Sequence, residues 1–304
     1  MKKILITGAS GYLANQLINE FVSDGFDIAA MTSNPENISR ILKDKSIEII
    51  SNDSVISGSR SLCDIDVVIH TAFCRKSDGN KLYQSLLMMQ KLVEKCKEYG
   101  IKGFINISSQ SVYGSQKKEL SDEHGIIAPD YLYAMAKVSS EMLLDQMVSS
   151  DTELRYTNVR LASLIGPGNK VPENILSKFI VSALHGIQFN VIGGGQKFSW
   201  LDVRDAARAI YLLALKNPKE WDPQYNLGPE KQINILELAD EICSQAKELY
   251  GIEVMYQFTP EETLLNAGMN SKKIYTYLNW KPKYSFSQTA EDTFKAKHYE
   301  LFGE

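Results

Sequence analysis

Little in this chain speaks for an extracellular, membrane-bound or nucleic-acid-binding protein. Its 304 residues hold four cysteines. Cys63, Cys74, Cys96 and Cys243 have spacings that suit neither a metal site nor a disulfide framework, so reduced thiols and no metal are expected. No apolar run approaches the ~20 residues that span a bilayer, and Met1-Lys2-Lys3 leads into Ile4-Leu5-Ile6 without the profile of a signal peptide. A cytoplasmic address and no membrane partner are expected. Net positive charge is missing too. A formal charge of −4 and a pI of about 5.7 give whole-molecule electrostatics no hold on nucleic acid. Repeats and low-complexity segments are absent. The composition that remains, 44% hydrophobic and 23% charged, suffices for one large domain or two intimately packed ones.

Strand and helix signals alternate along the chain. Ile4–Ile6, Asp27–Met31, Glu48–Ile50, Val67–His70, Phe104–Ile107 and Tyr156–Leu161 read as strands, with helices starting near Tyr12, Lys81 and Tyr131. That rhythm predicts an α/β fold with a parallel, doubly wound sheet. The helix from Leu82 to Tyr99 should stop at Gly100, and Gly125 to Pro129 should form the loop before the Tyr131 helix. From Gly166-Pro167-Gly168 onward the loops lengthen, as in a smaller C-terminal lobe. Ala206 to Leu215 reads as an apolar helix returning to the first lobe. The expected division is a dinucleotide-binding domain over residues 1–165 with 199–218, and a substrate lobe over 166–198 and 219–304.

Three segments carry chemistry. Thr7-Gly8-Ala9-Ser10-Gly11-Tyr12-Leu13-Ala14 is a strand, a glycine turn and a helix start: Gly8 permits the turn, Gly11 lets backbone N–H groups approach a pyrophosphate, and Ala14 allows close packing. Ile105-Asn106-Ile107-Ser108-Ser109 reads as a buried strand ending in hydroxyls. In Tyr133-Ala134-Met135-Ala136-Lys137 the tyrosine and lysine lie one helical turn apart on one face, where an ammonium can favour the ionised phenol and make it a usable acid or base near neutral pH.

Together these segments resemble the extended short-chain dehydrogenases/reductases, the branch of nucleotide-sugar epimerases, dehydratases and ketoreductases, over nearly the whole length. Ile69-His70-Thr71-Ala72-Phe73 is similar to that family's fourth-strand signature, Ser108 through Gly114 to its catalytic-serine segment, and Arg160 through Gly168 and Tyr225-Asn226-Leu227-Gly228 to later landmarks. The resemblance implies a Rossmann-type sheet and a Ser109, Tyr133, Lys137 site. Tyr133 would exchange the substrate hydroxyl proton, Lys137 would hold the nicotinamide ribose and depress the tyrosine pKa, and Ser109 would hydrogen-bond the reacting oxygen. It implies cofactor contacts from Gly8, Ser10, Gly11, Tyr12 and Leu13, from Asp53 and Ser54 at the adenine, and from Thr71, Ala72, Phe73, Ile107, Leu161 and Ala162. His70 is expected to pack near the cofactor without proton chemistry. A homodimer is the family's habit.

Departures from the family pattern narrow the reaction. NAD-preferring members carry an acid at the end of the second strand, but here that strand ends Met31-Thr32-Ser33-Asn34. Thr32, Ser33 and Asn34 could donate to a 2′-phosphate within reach of Arg40, which favours NADP(H) over NAD(H). The 4,6-dehydratases place an Asp-Glu pair directly after the catalytic hydroxyl, where this chain has Gln110 and Ser111. Substrate contacts are expected from Ser109, Gln110 and Ser111. Asn174 and Lys178 lie where the family grips a diphosphate, and Trp200 or Phe198 could stack on a ring. The family's diphosphate-binding arginine is replaced by Phe198, with Lys197 adjacent as a point charge. The expected function is NADPH-dependent reduction of a 4-keto sugar on a nucleotide. The alternatives are a C4 epimerase that retains its cofactor, a reductase of a non-sugar carbonyl compound, and a non-catalytic dinucleotide-binding protein.

Overall fold

Along each central strand successive residues serve opposite faces of one sheet. Ile4, Ile6, Ile28, Ala30, Val67, Ile69, Ile105 and Ile107 join one buried cluster; Leu5, Ala29, Met31, Val68 and Phe104 join another. Both faces are therefore covered, as a parallel sheet requires. The computed structural model describes residues 3–39, 47–115, 119–148, 153–168, 171–262 and 265–303.

Its strands are β1 (Lys3–Thr7), β2 (Ile28–Thr32), β3 (Ile47–Ser51), β4 (Ile65–His70), β5 (Gly103–Ser109), β6 (Arg155–Leu161), β7 (Ser163–Ile165), β8 (Phe189–Gly194), β9 (Lys197–Phe198), β10 (Trp200–Asp202), β11 (Gln224–Leu227), β12 (Ile233–Asn234), β13 (Tyr256–Glu261) and β14 (Asn266–Ala267). The helices are α1 (Tyr12–Ser23), α2 (Pro35–Ser39), α3 (Asn52–Ile56), α4 (Gly79–Glu98), α5 (Leu132–Met147), α6 (Ile175–Leu184), α7 (Val203–Leu215), α8 (Ile235–Tyr250), α9 (Lys272–Leu278) and α10 (Phe286–Phe302). The main sheet runs β11-β6-β5-β4-β1-β2-β3, all parallel. Strand order reverses between β1 and β4, which makes their carboxyl ends the crevice where such sheets bind ligands.

Local chemistry fixes the long helices. Asp78 caps α4 by accepting from Lys81 N, and the helix ends at Tyr99 before Gly100. One face of α4 buries Met89, Leu92, Val93 and Cys96 with α5's Leu144 against the sheet. On the other face α7 lies against α1: Phe21 and Tyr211 meet edge to face at 4.8 Å, and Arg208 pairs with Glu20 at 3.3 Å. The segment after Gly166 builds a third cluster from α6, α8, α10 and β8, around Phe179, Ile180, Leu238, Ile242 and Phe294. Two contacts tie it to the glycine turn. Tyr12 donates to Gly166 O at 2.6 Å and Gln16 to Pro167 O at 3.3 Å. Among the described residues, no helix is long and apolar enough to cross a membrane.

Candidate active site

The turn after β1 is built to bring backbone close to backbone. Gly8 has φ +62°, and a Cβ there would lie 2.9 Å from the Ala72 Cα, so a side chain would collide with the loop after β4. Gly11 N donates to Gly8 O at 2.7 Å, and Asn15 Nδ2 bridges Ala9 O and Gly11 O, each at 2.9 Å. Thr7 joins the two strand ends: its carbonyl accepts from Thr71 Oγ1 at 2.7 Å and its hydroxyl from Ala72 N at 3.2 Å. Gly11 is the N-cap of α1, offers no side-chain cap, and no acid occupies the first turn. Free N–H groups at a helix start with no competing carboxylate fit a cofactor pyrophosphate. Beyond it, Thr32 ends β2 buried, its hydroxyl accepting from Asn34 N at 3.2 Å, with Ser33 and Asn34 exposed. Asp53 and Ser54 lie in α3 after β3, where Ser51 caps through Ser54 N. Arg40 lies outside the described residues.

Beside this turn a cavity of about 370 Å³ brings together Gly11, Tyr12, Leu13, Thr71, Phe73, Ile107, Ser109, Gln110, Ser111, Tyr133, Lys137, Leu161 and Ala162. Elements far apart in sequence supply them: the ends of β1, β4, β5 and β6, and the first turns of α5. Ser109 closes β5 in extended backbone and caps the following turn, accepting from Ser111 N at 3.2 Å and from Ser111 Oγ at 2.9 Å. Tyr133 packs between Phe73, edge to face at 6.3 Å, and Tyr131, stacked at 6.1 Å. Lys137 Nζ donates to Ile107 O at 2.7 Å and lies 3.8 Å from the Phe73 ring centre.

The electrostatics correct one expectation. The Tyr133 phenol is not lowered toward neutrality: burial pushes it up to about 12, against the pull of Arg75 and a hydrogen bond with Ser109. Lys137 itself is pushed down to about 7, by burial first and by Arg75, while Glu141 resists. The Tyr-x-x-x-Lys spacing gave the shared face but not the cost of burying both groups. His70 is held in its neutral form. It is buried, shares a 3.0 Å hydrogen bond with Thr7 Oγ1, and is pushed down to about 3 by burial and by Lys137, so it stays neutral.

Under the site lies a buried polar network that sequence reading missed. Ser108 donates to Glu141 at 2.5 Å, and Arg160 grips the same carboxylate, with its closest approach 2.7 Å. Arg160 also donates to Tyr113 Oη at 2.8 Å, and Tyr113 donates to Asn226 Oδ1 at 2.8 Å. Tyr133, Lys137 and Glu141 recur every four residues on α5, a signal the sequence did contain. Arg75, on the loop after β4, lines the cavity as well. No pattern in the sequence marked it.

The expected substrate residues separate. Ser109, Gln110 and Ser111 line the cavity, and the buried Oε1 of Gln110 has no hydrogen-bond partner among the described residues. Asn174 is the N-cap of α6, accepting from Ser177 N at 2.9 Å. Lys178 and Lys197 are exposed and line neither this cavity nor a second one of about 500 Å³. Trp200 lines that second cavity and stacks on Phe198 at 5.5 Å. Among the described residues no group of His, Cys, Asp and Glu could hold a metal, and all four cysteines are free.

Comparison with known proteins places this geometry. The mouse dTDP-D-glucose 4,6-dehydratase is 26% identical over 96% of this chain and 87% of its own length; the Streptomyces griseus dTDP-glucose 4,6-dehydratase is 24% identical over 82% and 80%. A UDP-glucuronic acid 4-epimerase from Bacillus cereus, solved with NAD, superposes with a TM-score of 0.83 at 22% identity, covering 99% of this chain and 98% of that one. A UDP-glucose 4-epimerase from Thermotoga maritima gives 0.79 at 21%, covering 98% of this chain and 99% of that one. The model of the NAD dependent epimerase/dehydratase family matches residues 4–228, through the glycine turn, the Ser109, Tyr133 and Lys137 site and β11. The chain is an enzyme of that NAD-dependent nucleotide-sugar epimerase and dehydratase family.

Proposed function

We propose that this enzyme reduces a 4-keto group on a nucleotide-linked sugar, drawing its cofactor from the NADPH pool. One observation carries the choice of reaction: among the described residues, no aspartate or glutamate lines the cavity around Ser109, Tyr133 and Lys137. Elimination of water from a sugar needs a second acid/base pair beside the redox centre, and Gln110 and Ser111 stand where the dehydratases carry theirs. Reduction needs only one proton donor. Bound along the strand ends, a nicotinamide dinucleotide supplies the hydride. Tyr133 Oη then gives its proton to the carbonyl oxygen as the carbon is reduced, and Ser109 Oγ hydrogen-bonds that oxygen while its charge develops. Lys137 and the free N–H groups of α1 hold the cofactor.

The preference for NADPH rests on β2 ending in Thr32, Ser33 and Asn34 with no carboxylate to repel a 2′-phosphate. The nucleotide part rests on the relatives, which are named for dTDP- and UDP-linked sugars. Lys178 and Lys197 are its proposed diphosphate contacts, with the side-chain amide nitrogen of Asn174. A cytoplasmic homodimer belongs to the same reading. The second reading, C4 epimerisation, is supported by solved epimerases of like fold bound to NAD; it uses the same residues but keeps its cofactor.

The deciding experiment incubates the purified enzyme with UDP- and dTDP-linked 4-keto-6-deoxy sugars and NADPH, following absorbance at 340 nm. Stoichiometric NADPH oxidation supports reduction. Interconversion of UDP-glucose and UDP-galactose without added cofactor, with NAD recovered from the protein, shows epimerisation instead. If nucleoside diphosphates neither inhibit nor bind at millimolar concentration, the nucleotide-sugar reading fails and a simpler carbonyl compound takes its place.

A further inference from the structure

The cavity holds a second cation besides Lys137. Arg75 lines it with Ser109 and Tyr133 and, among the described residues, forms no hydrogen bond or ion pair. The acid buried behind the site, Glu141, is committed to Arg160 and Ser108. Lys137 is held back from the phenol, its Nζ donating to Ile107 O and lying 5.8 Å from the centre of the Tyr133 ring. Burial also leaves that amine on the edge of losing its proton at neutral pH. A guanidinium does not lose its proton. Among the described residues that line this cavity, the permanent positive charge is therefore Arg75.

We propose that Arg75 is a positioning residue for the proton transfer, the fixed charge beside which the Tyr133 phenol gives up and regains its proton. This rests on the oxidoreductase reading above. Among the described residues, the groups that act on Tyr133 are Cys74 and Arg75 from the loop after β4, Ser109 from β5, Tyr131 at the N-cap of α5 and Lys137 on α5. Cys74 and Tyr131 oppose ionisation, Ser109 favours it by a hydrogen bond, and Arg75 is the strongest influence toward the phenolate. In the reductive direction the phenol O–H bond breaks and its proton passes to the substrate oxygen, while hydride from the reduced nicotinamide adds to the carbonyl carbon. The phenolate left behind regains a proton from water. Positive charge at Arg75 stabilises that phenolate and, in the reverse reaction, keeps it available as the base.

Two measurements test this on the full-length enzyme. The first needs no turnover: a fluorinated tyrosine, more acidic than tyrosine, is incorporated at position 133 and titrated by 19F NMR in the background of Arg75, R75Q and R75K. Because Arg75 is exposed, R75Q should fold normally. We expect its phenol pKa to rise by about one unit, the lower end of the effect of a neighbouring opposite charge, and R75K to restore most of the shift. An unmoved pKa in R75Q overturns the proposal. The second is the pH profile of kcat for alcohol oxidation, whose phenolate-dependent limb should move up by the same amount in R75Q with KM unchanged. A rise in KM for substrate or cofactor with a stationary limb overturns it too, and assigns Arg75 to an anion on that ligand. Should no sugar be turned over, the functional reading fails while the NMR titration still decides the role of Arg75.

Discussion

The Lys137 ammonium lies 3.8 Å from the centre of the Phe73 ring, held by a 2.7 Å hydrogen bond to Ile107 O. An aromatic from the end of β4 thus packs on the amine that the Tyr-x-x-x-Lys spacing brings to the same place from α5. A cation over a ring face is stabilised by about 0.5–2 kcal/mol, but burying the amine opposes it, and burial is the larger effect: Lys137 is pushed down to about 7. The site is therefore poised by desolvation, and the expectations below follow from that balance.

Replacing Lys137 by methionine should abolish turnover and cofactor binding yet raise the melting temperature. In the folded protein Lys137 binds its proton less tightly than in the unfolded chain, about 7 against 10.5, so between those pH values the unfolded state holds more protons. Wild-type stability then rises with pH across this window, and the penalty is largest at and below pH 7. The thermal advantage of K137M should be greatest at pH 6–7 and shrink toward pH 10, as calorimetric scans of both proteins would show. A constant difference across that range would count against Lys137 as its source.

Tyr133→Phe should reduce kcat by on the order of 10²–10⁴-fold, the usual share of a positioned acid or base. Cofactor affinity measured by calorimetry should hold, because the glycine turn and α1 are untouched. Wild-type turnover with substrate and cofactor saturating would remove Tyr133 from the mechanism.

Glu141→Gln should destabilise the fold by about 3–5 kcal/mol, since it leaves the buried Arg160 guanidinium without its counter-charge. Urea denaturation reads this directly. Combining Glu141→Gln with Arg160→Met should recover part of the loss, and a double variant as unstable as the sum of the singles would show that the two side chains are not coupled.

Thr32→Asp should turn a preference for NADPH into one for NADH, through repulsion of the 2′-phosphate and a new acceptor for the ribose hydroxyls. Titration of each cofactor against each protein settles it. Equal binding of both by the unaltered enzyme would remove the basis for the NADP assignment.

The alternation of apolar runs, the Gly8 and Gly11 turn and the Tyr133 to Lys137 spacing are local features, governed by steric rules and helix period within a few residues, so the doubly wound sheet and the shared helix face of Tyr133 and Lys137 were legible in the sequence alone. What lay beyond it depends on distance through space. Whether Lys137 tunes Tyr133 is a contest between charge separation and desolvation, and only packing against Phe73, Tyr131 and Ile107 decides it, in favour of desolvation. The Ser108, Glu141 and Arg160 network joins β5, α5 and β6, and Arg75 becomes part of the site because the loop after β4 folds over the same strand ends. Asn174, polar and in the expected place, is the counterpart: its side-chain oxygen is committed to the first turn of α6. Short-range pattern names which residues can do chemistry, and the tertiary structure sets their partners and their exposure to water, on which their charge depends.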